Sequence, residues 1–511
     1  MAQEALPPTS APDEGAMPAN TPVTPAQPAS TSQTPDNSQN QTQNNSQSQD
    51  ASQTGTQGTP SANGTQSQVV PLLPQPGTGP YPFSSSATEP QSSQITSPSL
   101  YNTGAYDLSQ VATTSALLQA FSQQVGTGFL SEGGAGYSYG PIQRIRLGPF
   151  DLKFALATTV VSDDNILAGE SNGNQRISDT SLGVTPAVMV EYGNHEGQKG
   201  TMSLVYSPTL LRYFKDSSQN ADDQNVSFSA GYSFQRLNVD LSEAYSQVTG
   251  VNNDSNVRTT ETSSVSTIGG SYDIDDKLSL VSHLQELDTQ YSQAGGQGDD
   301  TTSLNNSITY HLSDKMTLGP SANFGYERPQ GSPNQTFEQG LLGLNYQPTA
   351  KIGLYGQAGA EFTQFNGGGD QSDPIFSAGI KYTPFDSTSL SLNGFQNVQP
   401  SSADSQQTAV NTGVGASITQ RFFQRFFVGF SFDYEDSEYS TNSGGSTAQA
   451  TAADNAFGNK QQNFVYRPSL TYAPTEWTSL AVYYQYRANE SDSTTGGYHD
   501  NQLGVSVSAQ F

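Results

Sequence analysis

Apolar and polar residues alternate along the chain from about residue 150 to its last residue, in stretches of about 10 to 14 residues. The stretches VSFSAGYSF (226–234) and FVGFSFDYE (427–435) each place apolar residues on one parity and mostly small or polar residues on the other. The last stretch, NQLGVSVSAQF, alternates in the same way and ends on an aromatic residue. Because successive side chains of a strand point to opposite faces, each stretch predicts a β-strand with one apolar face.

The connections between these strands also follow a pattern. Short polar turns such as LSDK and QPTAK alternate with long Gly- and Asn-rich segments such as DDNILAGESNGN and QAGGQGDD. Tyr272, Tyr310, Tyr346 and Tyr382 each precede a short turn and recur at intervals of about 36 residues, which is the length of one hairpin with its connections. Repeated hairpins of this kind predict an all-β fold of about 18 antiparallel strands joined up and down.

The modest hydrophobic content favours a barrel whose apolar face meets lipid. Only 33% of the 511 residues are hydrophobic, as expected if the interior is wet and each strand has one apolar face. In hydrocarbon every backbone N–H and C=O group must be paired, so a spanning protein made of strands has to close on itself. We therefore expect a transmembrane β-barrel in the bacterial outer membrane, with both ends on the periplasmic side. Aromatic residues near strand ends, such as Tyr213, Tyr291 and Tyr272, predict two interfacial girdles.

The first 143 residues differ in composition from the rest. Residues 1–100 are rich in Pro, Ser, Thr, Gln, Asn and Gly, and cannot bury enough apolar surface to offset the entropy of ordering. We expect a disordered periplasmic tail there, either a solvated linker or a tether for a partner. Within residues 101–143, apolar residues between Leu108 and Val125 recur at helical spacing and predict a short helix, which would plug the barrel or pack at its mouth. Residues 144–511 then form the barrel.

Charge and composition exclude several classes of function. The net charge is −27 and all 19 Lys and Arg residues lie at or after Arg144, so no basic stripe is available for nucleic acid. The absence of Cys excludes disulfides and thiolate metal sites, and no apolar run is long enough for a transmembrane helix. None of the four His residues lies in a recognisable catalytic motif, and the neighbours Ser282 and His283 would point to opposite faces of a strand. We predict a non-catalytic protein with no cofactor and no metal.

Charged residues on the polar parity predict the lining of a pore. An Arg or Lys side chain that faces lipid near the membrane midplane costs about 2–4 kcal/mol, so these residues are expected to face the lumen. There they would either set a transverse field across a pore or only neutralise one another along the wall. The candidates are Lys153, Glu361, Lys381, Asp433, Glu435, Arg467 and Arg487.

Acidic residues outnumber basic ones in the barrel region. Residues 144–511 carry 38 acidic and 19 basic residues, and much of the excess falls in the predicted long loops. Negatively charged loops at the mouth of a pore raise the local concentration of cations, so we expect a channel with a weak preference for cations. The loop acids are Asp163, Asp164, Asp222, Asp223, Asp299, Asp300, Asp370, Asp436 and Asp492.

Two resemblances support the barrel. The terminal segment, with Leu503, Val505, Val507 and Phe511, resembles the β-signal of bacterial outer-membrane proteins, although Ala509 stands where an aromatic often sits. The resemblance implies recognition by the β-barrel assembly machinery. The segments VVSDDNIL and ISDTSLGVTPAVMVEYG resemble the second β-barrel porin family, some of whose members are similar to proteins of exopolysaccharide export operons.

An outer-membrane location makes the lipid bilayer and lipopolysaccharide expected partners. The start, MAQEALPP, has no signal pattern, and we expect Ala2 and Gln3 to follow a removed signal peptide. The expected function is a porin-like channel for small hydrophilic solutes or glycans. A structural or adhesive barrel with acidic loops and a component of exopolysaccharide export are the alternatives.

Overall fold

The computed structural model of the chain describes residues 145–169, 176–193, 199–252, 254–292, 296–366, 369–403, 407–441, 460–475, 477–492 and 497–510. All of them belong to one unit of the chain, Pro80–Phe511. Their regular structure is β-strand, apart from a 3-10 turn at Ser217–Gln219. The strands are β1 (Ile145–Leu147), β2 (Phe150–Asp163), β3 (Asp179–Tyr192), β4 (Gly200–Tyr206), β5 (Thr209–Tyr213), β6 (Ala221–Ser233), β7 (Leu237–Asn252), β8 (Val257–Asp273), β9 (Leu278–Tyr291), β10 (Asp299–Ser313), β11 (Met316–Glu327), β12 (Gln335–Thr349), β13 (Ile352–Phe365), β14 (Asp370–Phe385), β15 (Thr388–Pro400), β16 (Gln407–Phe422), β17 (Phe426–Thr441), β18 (Lys460–Tyr472), β19 (Thr478–Ser491) and β20 (Tyr498–Gln510).

These strands form one closed antiparallel ring. From β6 to β20 each strand pairs with the next along the chain, and β2 closes the ring by pairing with both β3 and β20. Strands β4 and β5 lie end to end between β3 and β6 in one continuous register, interrupted at Ser207 and Pro208 because proline has no N–H for the ladder. Strand β1 pairs with only one end of β2. The protein is therefore an 18-strand antiparallel barrel, which confirms the predicted fold class.

The connections lie on two rims, which we call the short-turn rim and the long-loop rim. Because the number of strands is even, the first residue of β2 and the last of β20 both lie at the short-turn rim, where the Gln510 N–H donates to the Trp477 carbonyl at 2.9 Å. Of the described residues, the short-turn rim carries 148–149, 193, 199, 234–236, 274–277, 314–315, 350–351, 386–387, 423–425, 473–475 and 477. Of the described residues, the long-loop rim carries 164–169, 176–178, 214–220, 254–256, 292, 296–298, 328–334, 366, 369, 401–403, 492 and 497.

Exposed apolar side chains form a band around the outer wall. On β20, Leu503, Val505 and Val507 are 54%, 41% and 52% exposed, whereas Gln502 and Gly504 on the other face are buried. The same alternation runs along β2, where Phe154 is exposed and the flanking residues are buried. A wall that is apolar outside and polar inside reverses the pattern of a water-soluble protein.

The outer wall has polar exceptions on neighbouring strands. Glu243 on β7 has the same parity as the exposed Leu241, and it accepts hydrogen bonds from Ser264 (3.1 Å) and Ser266 on β8. A charged side chain on these strands therefore does not always face the lumen. Hydroxyl donors on the adjacent strand reduce the cost of this exception because they replace part of the carboxylate's hydration.

Several aromatic residues on the inner face lie flat against a glycine of the adjacent strand. A Cβ atom at Gly325 would come within 2.1 Å of the Phe337 ring, and one at Gly504 would come equally close to the Tyr483 ring. Each glycine pairs directly with its aromatic partner. The missing side chain lets the ring rest on the wall instead of projecting across the lumen. Tyr355 over Gly379 and Phe395 over Gly413 repeat the arrangement.

The ladders continue further than the sequence pattern predicted. Most of the acids assigned to long loops lie on strand ends, because backbone pairing persists after the apolar alternation has stopped. Only Asp164 and Asp492 lie in connections. The acids on strand ends are Asp163 (β2), Asp222 and Asp223 (β6), Asp299 and Asp300 (β10) and Asp370 (β14), whereas Asp436 lies further inside β17.

The predicted aromatic girdle at the long-loop rim is wrong in part. Tyr213 on β5 is buried on the inner face, where the Arg258 guanidinium lies 5.2 Å from its ring centroid. Tyr291 on β9 lines a luminal cavity. Their positions near strand ends suggested an interfacial role, but their parity turns both rings inward.

Two further predictions concern residues 1–143 and Phe511, and both lie outside the described residues. The predicted disordered tail and the predicted helix between Leu108 and Val125 therefore stay predictions. Within the described ranges, no helix is long and apolar enough to cross a membrane.

Candidate functional site: the lumen and its bridged mouth

The seven residues predicted to line a pore lie on strands, on the parity opposite to the exposed apolar band. They are spread around the ring and do not form a single cluster. Whether they line an open passage stays a prediction. Their positions are Lys153 on β2, Glu361 on β13, Lys381 on β14, Asp433 and Glu435 on β17, Arg467 on β18 and Arg487 on β19.

Two of the predicted bases pair with acids that the sequence analysis did not select. Lys153 Nζ lies 2.7 Å from Glu191 Oε2 on β3, and both side chains are almost fully buried. Arg487 Nη2 lies 2.6 Å from Asp500 Oδ2 on β20. Buried charges need such partners because the loss of hydration costs several kcal/mol per ion. The sequence did not predict an inward-facing Glu191, because Met189 lies two residues earlier with the same parity and gives that face of β3 an apolar pattern.

The remaining candidates contact aromatic or amide groups, or remain exposed. The Arg467 guanidinium lies 3.9 Å from the ring centroid of Tyr483, a cation–π distance. Glu361 accepts hydrogen bonds from Gln339 Nε2 at 2.7 Å and from Thr363 Oγ1 at 3.2 Å. Lys381 is exposed near the short-turn rim.

The tip of the β7–β8 hairpin crosses the mouth of the barrel at the long-loop rim. We call Val251, Asn252 and Asp254–Asn256 the bridging tip. The Asp254 carboxylate accepts hydrogen bonds from Ser402 N (3.0 Å) and Oγ (2.9 Å) in the β15–β16 loop, and from the Tyr439 hydroxyl on β17 (2.9 Å). Because β7 and β8 lie opposite β16 and β17 in an 18-strand ring, these bonds span the opening.

Neighbouring segments hold the bridging tip from several sides. The Asp254 carbonyl accepts from Gln461 Nε2 on β18 at 2.9 Å. Val251 packs against Ala168 of the β2–β3 loop and Tyr498 of β20. In the β9–β10 loop, the Gln297 N–H donates to the Ser402 carbonyl at 2.8 Å. Three loops thus meet at Ser402, and together they narrow the mouth.

The β2–β3 loop is anchored to β20 through a carboxylate outside the strands. Asp164 accepts from Asn501 N and Nδ2, both at 2.8 Å, and from Arg176 Nη2 at 2.7 Å. Partial burial opposes ionisation, but the hydrogen bonds from Arg176 and Asn501 outweigh it and lower the pKa of Asp164 below its ordinary value. This loop anchor therefore depends on an ionised Asp164.

A cavity of about 160 Å³ lies in the lumen below the bridging tip. Its wall comes from β9 to β15, and Asn252 and Asp254 contribute from the tip. The volume is more than ten times the space that one water molecule requires, so a small solute fits. The polar lining includes Asp299, Glu327, Asn323, Gln339 and Asn397.

Asp254 and Glu327 were not predicted from the sequence, and Asp299 was predicted to lie in a long loop instead of on a strand. Asp254 lies in the short segment NNDSN, which reads as an ordinary polar turn. Asp299 and Glu327 lie at strand ends, and parity counted from the apolar residues of β10 and β11 would have placed both on the inner face.

The described residues hold no cluster of acids and histidines arranged for a metal ion. Ser282 and His283, neighbours on β9, have different partners. The Ser282 hydroxyl donates to Asn306 Oδ1, and His283 Nε2 lies 3.5 Å from Asp240 Oδ2. These contacts agree with the prediction that the two side chains occupy opposite faces.

No protein-family model and no curated protein matches this chain. Among solved structures it is similar to Acinetobacter baumannii OccAB4, with 10% identity over 71% of this chain and 99% of that chain and a TM-score of 0.40. It is also similar to Pseudomonas aeruginosa OpdQ, with 12% identity, coverages of 71% and 98% and a TM-score of 0.39. For the FrpB iron transporter from Neisseria meningitidis (F5-1 variant) the identity is 10%, the coverages are 70% and 82%, and the TM-score is 0.38. The TM-scores stay below 0.5, so the architecture rests on the strand pairing of this chain.

Proposed function

We propose that this protein is a porin-like channel of the bacterial outer membrane that passes small hydrophilic solutes without catalysis. The observation that carries the proposal is the closed ring with an apolar outer band and a charged inner face. A closed barrel leaves no unpaired strand edge in hydrocarbon, and the polar interior of an 18-strand barrel is wide enough to hold water. The route for solute runs past the cavity on the β9–β15 side of the bridging tip.

Solute entry into liposomes tests this proposal. Liposomes that contain the refolded full chain should swell in iso-osmotic solutions of small sugars and amino acids, with rates that fall as solute size rises. Empty liposomes are the control. Folded protein that gives no swelling with any solute would contradict the channel.

A structural or adhesive barrel is the second candidate, because the bridging tip narrows the mouth. This reading predicts no swelling for the natural chain and none for a variant in which the bridge is weakened. A channel instead predicts faster swelling in Asp254→Ala, since the bonds to Ser402 and Tyr439 are lost.

Passage of glycans and a role in exopolysaccharide export are narrower forms of the proposal, supported by the resemblance of the sequence segments. Oligosaccharides of increasing length should then reduce channel current when they occupy the lumen. Current that is unaffected by any oligosaccharide would leave a channel for small solutes only.

We also propose that the short-turn rim faces the periplasm and that β20 is recognised by the β-barrel assembly machinery. The outward apolar set Leu503, Val505 and Val507 supports this reading. Replacing Val505 and Val507 with Ser should reduce the amount of folded barrel in cells, measured by heat-modifiable mobility. Replacing the inward Ser506 and Ser508 with Thr is the matched control.

A further inference from the structure

The luminal cavity has an apolar wall where the strand pattern calls for polar side chains. Phe337 and Leu341 on β12 and Ile375 on β14 point inward and are nearly buried. Leu341 and Ile375 both pair with Gly359 of the strand between them, so a glycine separates the two apolar side chains. Water alone gains nothing from such a surface, whereas a solute with an apolar part does.

Three acidic residues, Asp299, Glu327 and Glu361, lie near this apolar wall. Thr301 Oγ1 donates to Asp299 at 2.6 Å, Gln335 donates to Glu327, and Gln339 donates to Glu361. Asp299 and Glu327 both line the cavity, and Glu361 lies on β13, two strands from β11. Among the described residues, none of the three forms a salt bridge with Lys or Arg. A cation that enters the cavity would supply the positive partner that these acids lack.

Unpartnered acceptors point to the same kind of ligand. Asn397 is 7% exposed, lines the cavity, and its Oδ1 atom has no hydrogen-bond partner. Asn323 Oδ1 and Asp299 Oδ1 are also unpartnered acceptors in the lining. A buried acceptor without a donor is costly, so the cavity favours a ligand that supplies N–H groups.

We propose that this cavity is a binding subsite for a small organic cation, an ammonium group attached to an apolar body. The ammonium group lies among Asp299, Glu327 and Asn397, and the apolar part rests on Phe337, Leu341 and Ile375. A neutral sugar supplies O–H donors but does not offset the carboxylate charge, so it is a poorer fit. The inference rests on the proposed channel, since solute reaches the subsite through the lumen.

Titration calorimetry on the full chain in detergent tests the subsite directly. The probes are benzylammonium, benzyl alcohol, benzoate and glucose. Benzylammonium should bind at least tenfold more tightly than the other three. Glu327→Gln should weaken benzylammonium binding about tenfold, because the variant lacks the carboxylate. Phe337→Leu should weaken it severalfold, because the variant lacks the aromatic surface.

Glu338→Gln is the matched control, since Glu338 lies on β12 with the parity opposite to Phe337 and is exposed. It should leave binding unchanged. Equal binding of all four probes, tighter binding of glucose, or equal loss in Glu327→Gln and Glu338→Gln would overturn the subsite.

Liposome swelling is measured separately on the same protein. Benzylammonium binding without swelling supports the subsite and contradicts the channel, so the two failures are distinguishable.

Discussion

Phe337 rests on the wall of the lumen because the residue opposite it on β11 is Gly325. The pairing sets how far an inward aromatic ring projects, and it recurs at Gly379, Gly413 and Gly504. A barrel interior with rings held flat keeps space for water and solute. At the scale of single residues, the glycines of the inner face therefore shape the lumen as much as the charged side chains do.

Gly325→Ala should displace the Phe337 ring and destabilise the barrel. A new Cβ atom within 2.1 Å of the ring forces a shift that costs about 1–3 kcal/mol in a packed site. Thermal unfolding followed by heat-modifiable mobility measures the change. Gly353→Ala is the control, because a Cβ atom there meets nothing within 4 Å. Equal melting temperatures for both variants would contradict this account of the glycines.

The anchor at Asp164 should weaken in acid. A carboxyl group whose pKa is lowered on folding contributes stability above its ordinary value of 3.8, and this contribution is lost as the pH falls through the lowered pKa. Hydrogen exchange at the Asn501 amide, corrected for intrinsic rates, should therefore stay slow near neutral pH and become fast only below pH 3.8. Asp164→Ala should show fast exchange at every pH. Loss of protection well above pH 4 would contradict the assignment.

At the scale of elements, the β7–β8 hairpin is the feature that departs most from a simple barrel. Its tip extends from the rim across the mouth and forms hydrogen bonds with the β15–β16 loop, β17 and β18. The Asp254 carboxylate accepts three of the hydrogen bonds that hold the tip, from Ser402 and Tyr439, whereas the contacts of Gln461 and Val251 do not involve it. The hairpin is thus the element that sets the size of the mouth.

Asp254→Ala should widen the mouth. The variant loses the acceptor for Ser402 and Tyr439, and single-channel conductance should rise roughly twofold or more, since a constriction dominates the resistance of a pore. Asp275→Ala in the β9 turn of the short-turn rim is the control and should conduct like the natural chain. Unchanged conductance in Asp254→Ala would show that the narrowest point lies elsewhere.

Alternation and repeat length predicted the strands, their number and the closed ring, because period-two side-chain placement is a local property of each strand. The inward placement of Lys153 and Arg487 followed from the same parity. Their partners Glu191 and Asp500, and the bridge at Asp254, depend on which strands and loops meet across the ring. These contacts are set by the closed barrel, and no local pattern in the sequence encodes them.

At the scale of the whole molecule, the excess of acid sets the sign of the electrostatic potential. Residues 144–511 carry twice as many acidic as basic residues, and several acids face the lumen near the long-loop rim. In a potassium chloride gradient the reversal potential should therefore have the sign of the potassium equilibrium potential, with a magnitude well below that limit. The preference should weaken as salt rises, because the Debye length shortens. A clear anion preference would contradict this account.

The central claim is that lipid surrounds the barrel and that water and solute fill its lumen. Current across a planar bilayer tests it most directly, with the full chain and Asp254→Ala measured side by side. The account predicts discrete current steps for both proteins, larger in the variant. Folded, membrane-inserted protein that gives no steps in either form would contradict it.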